Sequence, residues 1–256
     1  MKLYLNSVFE QIIKMGIKTY RQKPKNLLVS AIYRLQKILP MTNKAKFKLF
    51  LNLEWIFDRL SHEMSFKLYS SEKHPFRKFS KKFLMENIEA TNTVLDLGCN
   101  IGDVSNIVAE KAKEVVGIDY NKRIIEIAKQ LNKKPNLNFY NMEALEFLKG
   151  NSKHFDVLIL SHFLEHIDEP KEFLMNFKSY FKHIYIELPD FDRYYLNHYR
   201  KDFNLKLIYT DDDHISEFDR DELKILLNEC QIEIIKEEYK YGVQKLWCKV
   251  SHQNPT

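Results

Sequence analysis

The 256-residue sequence predicts an α/β fold built on one mostly parallel sheet, and three observations carry that prediction. From Thr93 onward, short apolar runs alternate with helix-compatible stretches, the rhythm of a parallel sheet covered by helices on both faces. The first run, Val94-Leu95-Asp96-Leu97, ends at glycines 98 and 102 and passes straight into a helical segment. Strand, glycine turn and helix together make a nucleotide-type pocket, because glycine allows a tight turn and close backbone approach to a ligand. The last two runs are separated only by a short turn near Tyr241-Gly242, so they should pair antiparallel.

The elements follow in order. Leu3, Phe9, Ile12, Ile13, Met15 and Ile17 suggest one amphipathic helix, and Leu27, Leu28, Ile32, Leu35, Ile38 and Leu39 a second, punctuated by Pro24 and Pro40. A third helical pattern covers about Ala45 to Leu60, and Ser80 to Asn87 should lead helically into the first strand. Strands are expected at Thr93–Leu97, Glu114–Asp119, Leu137–Asn141, Phe155–Leu160 and Ile184–Leu188. Helices should run over Asp103–Lys111, Lys122–Leu131, Glu143–Leu148 and Pro170–Phe181. A helix over Arg220–Cys230 and closing strands Ile232–Glu237 and Val243–Val250 complete seven strands, the last antiparallel. Two domains are expected: a basic helical extension over residues 1–60 and a cofactor-binding domain over 61–256.

Composition narrows the function classes. No apolar run approaches the roughly 20 residues that span a bilayer, and Asn6, Glu10 and Gln11 interrupt any leader-like N-terminus. Cys99, Cys230 and Cys248 are too few and too widely spaced for a disulfide framework or a metal knot, so reduced thiols and a cytoplasmic location are expected. The net charge of +5 hides an asymmetry: up to Leu53, basic residues from Lys2 to Lys48 are opposed by Glu10 alone. Such an extension suits an anionic membrane surface, an acidic partner or nucleic acid, and equally a solvated helix face.

The glycine segment Val94-Leu95-Asp96-Leu97-Gly98-Cys99-Asn100-Ile101-Gly102 reads Gly-x-x-x-Gly led by Asp-x-Gly, unlike the Gly-x-Gly-x-x-Gly of pyrophosphate-binding dehydrogenases. Val116-Gly117-Ile118-Asp119 is a second strand ending on an acid. Phe155-Asp156-Val157-Leu158-Ile159-Leu160-Ser161-His162-Phe163-Leu164-Glu165-His166 is a fourth strand with a polar exit. In this order and spacing the three resemble the class I S-adenosylmethionine-dependent methyltransferases, especially the methyltransferase-11/23-like group acting on small acceptors. The resemblance spans about Thr93 to Val250. It implies a Rossmann-like sheet, S-adenosylmethionine as methyl donor and S-adenosylhomocysteine as product.

Each cofactor residue then has an expected role. Asp119, with Tyr120 beside it, can accept hydrogen bonds from the ribose hydroxyls or cap the following helix. Asp96 orders the glycine loop or reaches the methionine ammonium through water, with Gly98, Cys99, Asn100 and Gly102 bordering that end. Asn100 stands where many relatives have glycine, and Asn tolerates left-handed backbone. Glu143, followed by Ala144, matches the acid that accepts from the adenine amino group, although relatives more often carry Asp and a helix cap is the competing role. Met142 packs on the adenine or in the core. Ser161 and His162, past strand four, are expected to touch the cofactor through their backbone.

The acceptor side is read from fewer signals. A hydroxyl acceptor benefits from a general base, with His166, His214, Asp190 or Glu187 as candidates, whereas an anionic acceptor would favour Arg77 or Arg200. Tyr69, His74, Arg77, Glu187, Tyr195 and Arg200 are the candidate acceptor residues. Glu63, Phe66, Tyr69, His74 and Arg77 could form a lid, and the insert from Phe191 to Phe218 should shape the pocket, with Asp211-Asp212-Asp213 as an exposed loop. His162 and His166 have the spacing of a metal pair on a helix, but no third ligand follows, so no metal is expected. Adenine-N6, cytosine-C5 and metal-dependent catechol enzymes are excluded by the sequence after strand four and by the lack of a Pro-Cys nucleophile. The expected activity is methyl transfer to a small polar acceptor, at oxygen. Tyr185-Ile186-Glu187-Leu188-Pro189 looks like methyltransferases of bacterial surface-polysaccharide pathways, which implies a sugar or a phosphorylated or phosphoramidate capsule precursor. The alternatives are a cofactor-binding adaptor that docks by its basic helices without turnover, and an RNA methyltransferase. Nucleic acid is not the expected acceptor, because the aromatics form no recognised RNA-binding module.

Overall fold

Strands covered on both faces are mostly apolar, and the apolar runs of the sequence, with alternating burial in the two outermost strands, lie side by side in the computed structural model. It describes residues 26–70, 73–151, 154–209, 211 and 213–251. The helix expected around Leu3–Ile17, Pro24 and Asp212 lie outside the described residues. The strands are β1 (Thr93–Leu97), β2 (Glu114–Asp119), β3 (Leu137–Asn141), β4 (Phe155–Ser161), β5 (Phe181–Pro189), β6 (Ile232–Lys240) and β7 (Val243–Val250). They form one sheet in the order β3-β2-β1-β4-β5-β7-β6. β1 pairs parallel with β2 and β4, β2 with β3, and β4 with β5. β7 alone inserts antiparallel, between β5 and β6. Its reversal is made by Tyr241 (φ +55°) and Gly242 (φ +78°), two successive left-handed residues that match the twist of a tight hairpin.

Alternate residues of these strands bury against two layers. Leu95, Val116, Leu158 and Ile184 pack with Leu174, Phe177, Leu223 and Leu227 on one face. Val94, Val115, Val157 and Tyr185 pack with Phe83, Leu84, Val108 and Ile125 on the other. The helices among the described residues are α1 (Leu27–Ile38), α2 (Asn43–Leu68), α3 (Pro75–Asn87), α4 (Asp103–Val108), α5 (Lys122–Leu131), α6 (Ala144–Asn151), α7 (Pro170–Phe177), α8 (Leu196–Asp202) and α9 (Arg220–Glu229). α3 starts five residues earlier than the expected Ser80, because Pro75 opens its first turn and His74 accepts from the Phe76 N–H as its cap. α2 runs past the expected end at Leu60 to Leu68, with the Arg59–Glu63 pair one turn apart on its surface. The helix expected to Phe181 ends at Phe177, since Phe181 already pairs with Phe155 at the foot of the sheet.

The chain divides into two compact units, 1–47 and 48–256; residue 60, the boundary expected from sequence, falls inside α2. In the first unit, Asn26 caps α1 by accepting from the Leu28 and Val29 N–H groups. Among the described residues, no helix is long and apolar enough to cross a membrane. In the second unit the sheet order reverses between β1 and β4, which opens a crevice at their carboxyl ends.

Candidate active site

The loop leaving β1 is held in a conformation that few residues adopt. Gly98, Asn100 and Gly102 have φ of +70°, +49° and +83°. A Cβ on Gly98 would lie 2.7 Å from the Phe163 ring, so glycine is required by both backbone and space. The N–H groups of Gly98 and Cys99 donate to Ile118 O at 2.9 and 3.1 Å. The Asn100 N–H donates to Asp119 Oδ2 at 3.2 Å and Asn100 Oδ1 accepts from Ile101 at 2.7 Å, the local bonding that lets Asn sit in the left-handed region. Gly98→Ala should therefore lower the melting temperature by several degrees, from about 1–2 kcal/mol of backbone strain plus the clash; a thermal scan checks it.

A cavity of about 280 Å³ opens beside this loop, lined by Asp96, Gly98, Cys99, Asn100, Ser161 and His162 among others. Asp96 is buried and accepts from Ser105 Oγ. Burial raises its pKa to about 7 against the opposing Ser105 hydrogen bond, with nearby Asp119 adding to the rise. Asp119, at the end of β2, accepts from the N–H groups of Asn100 and Asn121. Tyr120 is 90% exposed. Met142 is exposed and Ala144 buried. Glu143 accepts from the Glu146 N–H at 2.9 Å, the helix-capping role that competes with adenine binding.

A larger cleft of about 580 Å³ adjoins it, and Phe76, Arg77 and His162 line both spaces. His162 has φ +51°, a strained conformation for a non-glycine residue, of the kind that collects at functional sites. Its Nδ1 lies 3.2 Å from Glu165 Oε1 and its Nε2 3.5 Å from Glu187 Oε1. Burial opposes protonation of the ring, but these two carboxylates outweigh it and shift the pKa upward. The ring remains 39% open to solvent, which weakens that shift.

Glu187 itself is 2% exposed. It accepts from Ser80 Oγ at 3.1 Å and from the Tyr185 hydroxyl, and Lys245 Nζ lies 3.8 Å away. Burial pushes its carboxyl up, but His162, Lys245 and Tyr185 together hold it below its usual value. Burial pushes the fully enclosed Lys245 down to about 8, against the attraction of Glu187.

The opposite wall of the cleft is one face of α2, where Trp55, Asp58, Arg59, His62 and Phe66 recur at helical spacing. Long-range bonds tie this face to the insert after β5. Arg59 pairs with Asp211 at 2.9 Å, Arg193 with Asp58, Arg200 with Glu54, and Trp55 Nε1 donates to Tyr209 O at 3.1 Å. Of these α2 residues Phe66 alone was singled out from the sequence, as a lid residue; Trp55, Asp58, Arg59 and His62 were not, nor were Arg193 and Lys245.

The expected acceptor residues divide. Arg77, ion-paired with Asp103, lines the cleft, as do Glu63 and Phe66. Arg200 also borders it, but its guanidinium is buried on Glu54, Leu51 O and Asn197. His74 is buried 3.1 Å from Ser65 Oγ and stacked on Phe66, with Tyr69 edge-on to it. Tyr195 is exposed and packs edge-on to Tyr199. Among the expected bases, Asp190 is bound by Arg220 through both oxygens, at 3.0 and 2.6 Å. Its carboxylate is thus tied to a structural partner. His166 and His214 come together, ring centroids 4.9 Å apart and edge to face, and His214 lines the cleft.

A family model described as a methyltransferase domain matches residues 71–237. An uncharacterized RNA methyltransferase of Mycoplasma mobile is 32% identical over 131 residues, covering 42% of this chain and 36% of that protein. A ubiquinone biosynthesis O-methyltransferase of Coxiella burnetii is 31% identical over 84 residues, covering 32% of this chain and 36% of that protein. The chain thus spans little more than a third of the length of these curated relatives. The solved magnesium protoporphyrin IX methyltransferase of Synechocystis PCC 6803, with bound SAH, has the same fold. It is 16% identical with a TM-score of 0.53, and the match covers 76% of this chain and 94% of that one.

Proposed function

The chain belongs to the methyltransferase-domain family, as a class I S-adenosylmethionine-dependent methyltransferase, and from that premise we propose that it methylates a ring hydroxyl of a small acceptor bound in the 580 Å³ cleft. The observation that carries this reading is the junction at Phe76, Arg77 and His162, where the glycine-loop cavity meets the larger cleft.

The residues present fit the cofactor. A buried carboxylate, Asp96, borders the small cavity and suits an ammonium group, while Asp119 keeps lone pairs beyond the two backbone donors it already accepts. Asp96, Gly98, Cys99, Asn100 and Gly102 would hold the methionine end, Ser161 and His162 would border it through their backbone, and Asp119 would hold the ribose. Glu143 and Met142 would flank the adenine. When bound, S-adenosylmethionine supplies an activated methyl sulfonium. What remains for the chain is alignment, worth on the order of 7–11 kcal/mol when both partners are held. His162 stands at the junction and positions the acceptor oxygen.

The cleft has the size of a small-molecule site, and Trp55, Phe66, Tyr194 and Tyr241 give it aromatic walls for stacking a ring. Arg59, Arg77, Arg193 and Arg200 all stand in ion pairs with Asp or Glu. That pairing favours a compact, weakly charged acceptor over a polynucleotide, whose binding draws on cations that meet phosphate. The similarity to the Coxiella O-methyltransferase supports oxygen as the accepting atom. A sugar or capsule precursor belongs to the same class of acceptor, although none of the relatives named above is assigned to polysaccharide synthesis. Labelled methyl transfer to a panel of phenols, nucleotide sugars and transfer RNA tests the reading. Transfer to a small ring hydroxyl is expected, and transfer to RNA alone would overturn it. Trp55→Ala should raise the acceptor KM about tenfold, roughly the loss of 1.4 kcal/mol of apolar contact, while S-adenosylhomocysteine affinity stays unchanged in calorimetric titration.

A further inference from the structure

We propose that Glu165, His166 and His214 form a binding site for a divalent cation of the zinc class, at the side of the cleft. One ligand atom from each of the three lies within 4.8 Å of the others. Glu165 and His166 sit on the short turn Leu164–His166 after β4, and His214 arrives from the insert after β5. Backbone bonds fix this meeting: Glu165 O accepts from the N–H groups of Ile215 at 2.9 Å and Ser216 at 3.2 Å.

The donor set has the features of a metal site and is poorly explained without one. Glu165 is 1% exposed, and while Oε1 faces His162, its buried Oε2 has no hydrogen-bond partner. Leaving such an oxygen unsatisfied costs about 1–3 kcal/mol, and more for a charged group. Each histidine has a second group at its Nδ1: Asp213 O lies 3.1 Å from His166, and Glu217 Oε1 lies 3.0 Å from His214. An acceptor at one ring nitrogen fixes the tautomer and directs the other nitrogen to a metal. Two imidazoles and one carboxylate suit zinc or a similar borderline ion, with positions left for water or substrate. Magnesium and calcium prefer all-oxygen shells. Asp211 and Asp213 add carboxylates on the same side of His214. His162 is not part of this set, since its two ring nitrogens face Glu165 Oε1 and Glu187 Oε1. Binding of the cation stands apart from the proposed function; only its use in polarising an acceptor oxygen rests on that reading.

The test uses the untagged full chain, stripped with chelator, dialysed against Zn²⁺ and analysed for metal by mass spectrometry, with Co²⁺ absorption reporting the ligands. About one equivalent per chain is expected in the wild type. His166→Ala, His214→Ala and the shape-preserving Glu165→Gln should each weaken binding by about 100-fold or more, whereas His62→Ala, in the same cleft, should retain it. Circular dichroism and S-adenosylhomocysteine binding identify variants that fold. A folded wild type that retains no cation, or retention untouched by both histidine variants, would overturn the site. Cation binding without any S-adenosylhomocysteine binding would sink the function and leave the site standing.

Discussion

Glu187→Ala should cost about 3–5 kcal/mol of folding stability at neutral pH, the range for removing one partner of a buried ion pair. The wild-type carboxylate serves Ser80, Tyr185, His162 and Lys245 at once. Without it, Lys245 Nζ is left fully buried with no hydrogen bond, over the Phe79 and Phe76 rings at 3.8 and 5.3 Å. The pH dependence identifies the group responsible. Burial already holds the native Lys245 pKa at about 8, below the usual lysine value, so the folded state binds fewer protons than the unfolded chain between about 8 and 10.4. Stability from this group therefore rises with pH across that window. In the variant the native pKa falls further, because the attraction of Glu187 is gone, and the wild type loses its ion-pair advantage as pH passes 8. Urea denaturation at pH 7 and 9.5 should show the deficit shrinking by about 1 kcal/mol. An equal deficit at both pH values would show that the loss lies in Ser80 and Tyr185 instead. Either way, the carboxylate proposed from sequence as a general base stands enclosed by four partners.

The strands and the glycine loop were legible because their determinants are local. β1, β4 and β5 are largely apolar and buried along their centres since both faces are covered, and the Tyr241-Gly242 turn specified the antiparallel pairing of β6 with β7. The cleft wall was not legible. Trp55, Asp58, Arg59 and His62 lie on a helix whose polar face looks solvated in isolation, and their partners Arg193, Tyr209 and Asp211 are more than a hundred residues away. The partner of Asp190 was not legible for the same reason, since Arg220, which binds it, lies thirty residues on. Lys245 left a faint signal: in a two-residue period it shares a face with Val243 and Trp247, and a lysine there points inward. A polar residue breaking an apolar face, matched with an acid at the neighbouring strand end, is the pattern that would have found the Glu187–Lys245 pair.

Asp119→Ala should weaken S-adenosylhomocysteine binding about tenfold or more, since one hydrogen bond to a charged acceptor contributes roughly 1.5–3 kcal/mol and 1.4 kcal/mol is a factor of ten. The difficulty is that Asp119 also braces the glycine loop, accepting from Asn100 at 3.2 Å and Asn121 at 2.8 Å. Loss of affinity alone would not tell a ribose contact from a loosened loop. Two comparisons separate them. Asp119→Asn keeps an oxygen for the Asn121 N–H but lacks the charge and one acceptor, so it should fall between wild type and alanine. The sharper measurement is a double-mutant cycle with 5′-methylthioadenosine and its 2′-deoxy analogue as ligands. In the wild type, removing the hydroxyl should cost about tenfold; in Asp119→Ala the two ligands should bind alike, because the group that distinguished them is gone. If the deoxy analogue loses equally in both proteins, Asp119 acts through Asn100 and the left-handed loop, and the hydroxyl is held elsewhere. The cycle is informative because the brace occupies both oxygens of the carboxylate whether or not ligand is present, and only the contact depends on the ligand.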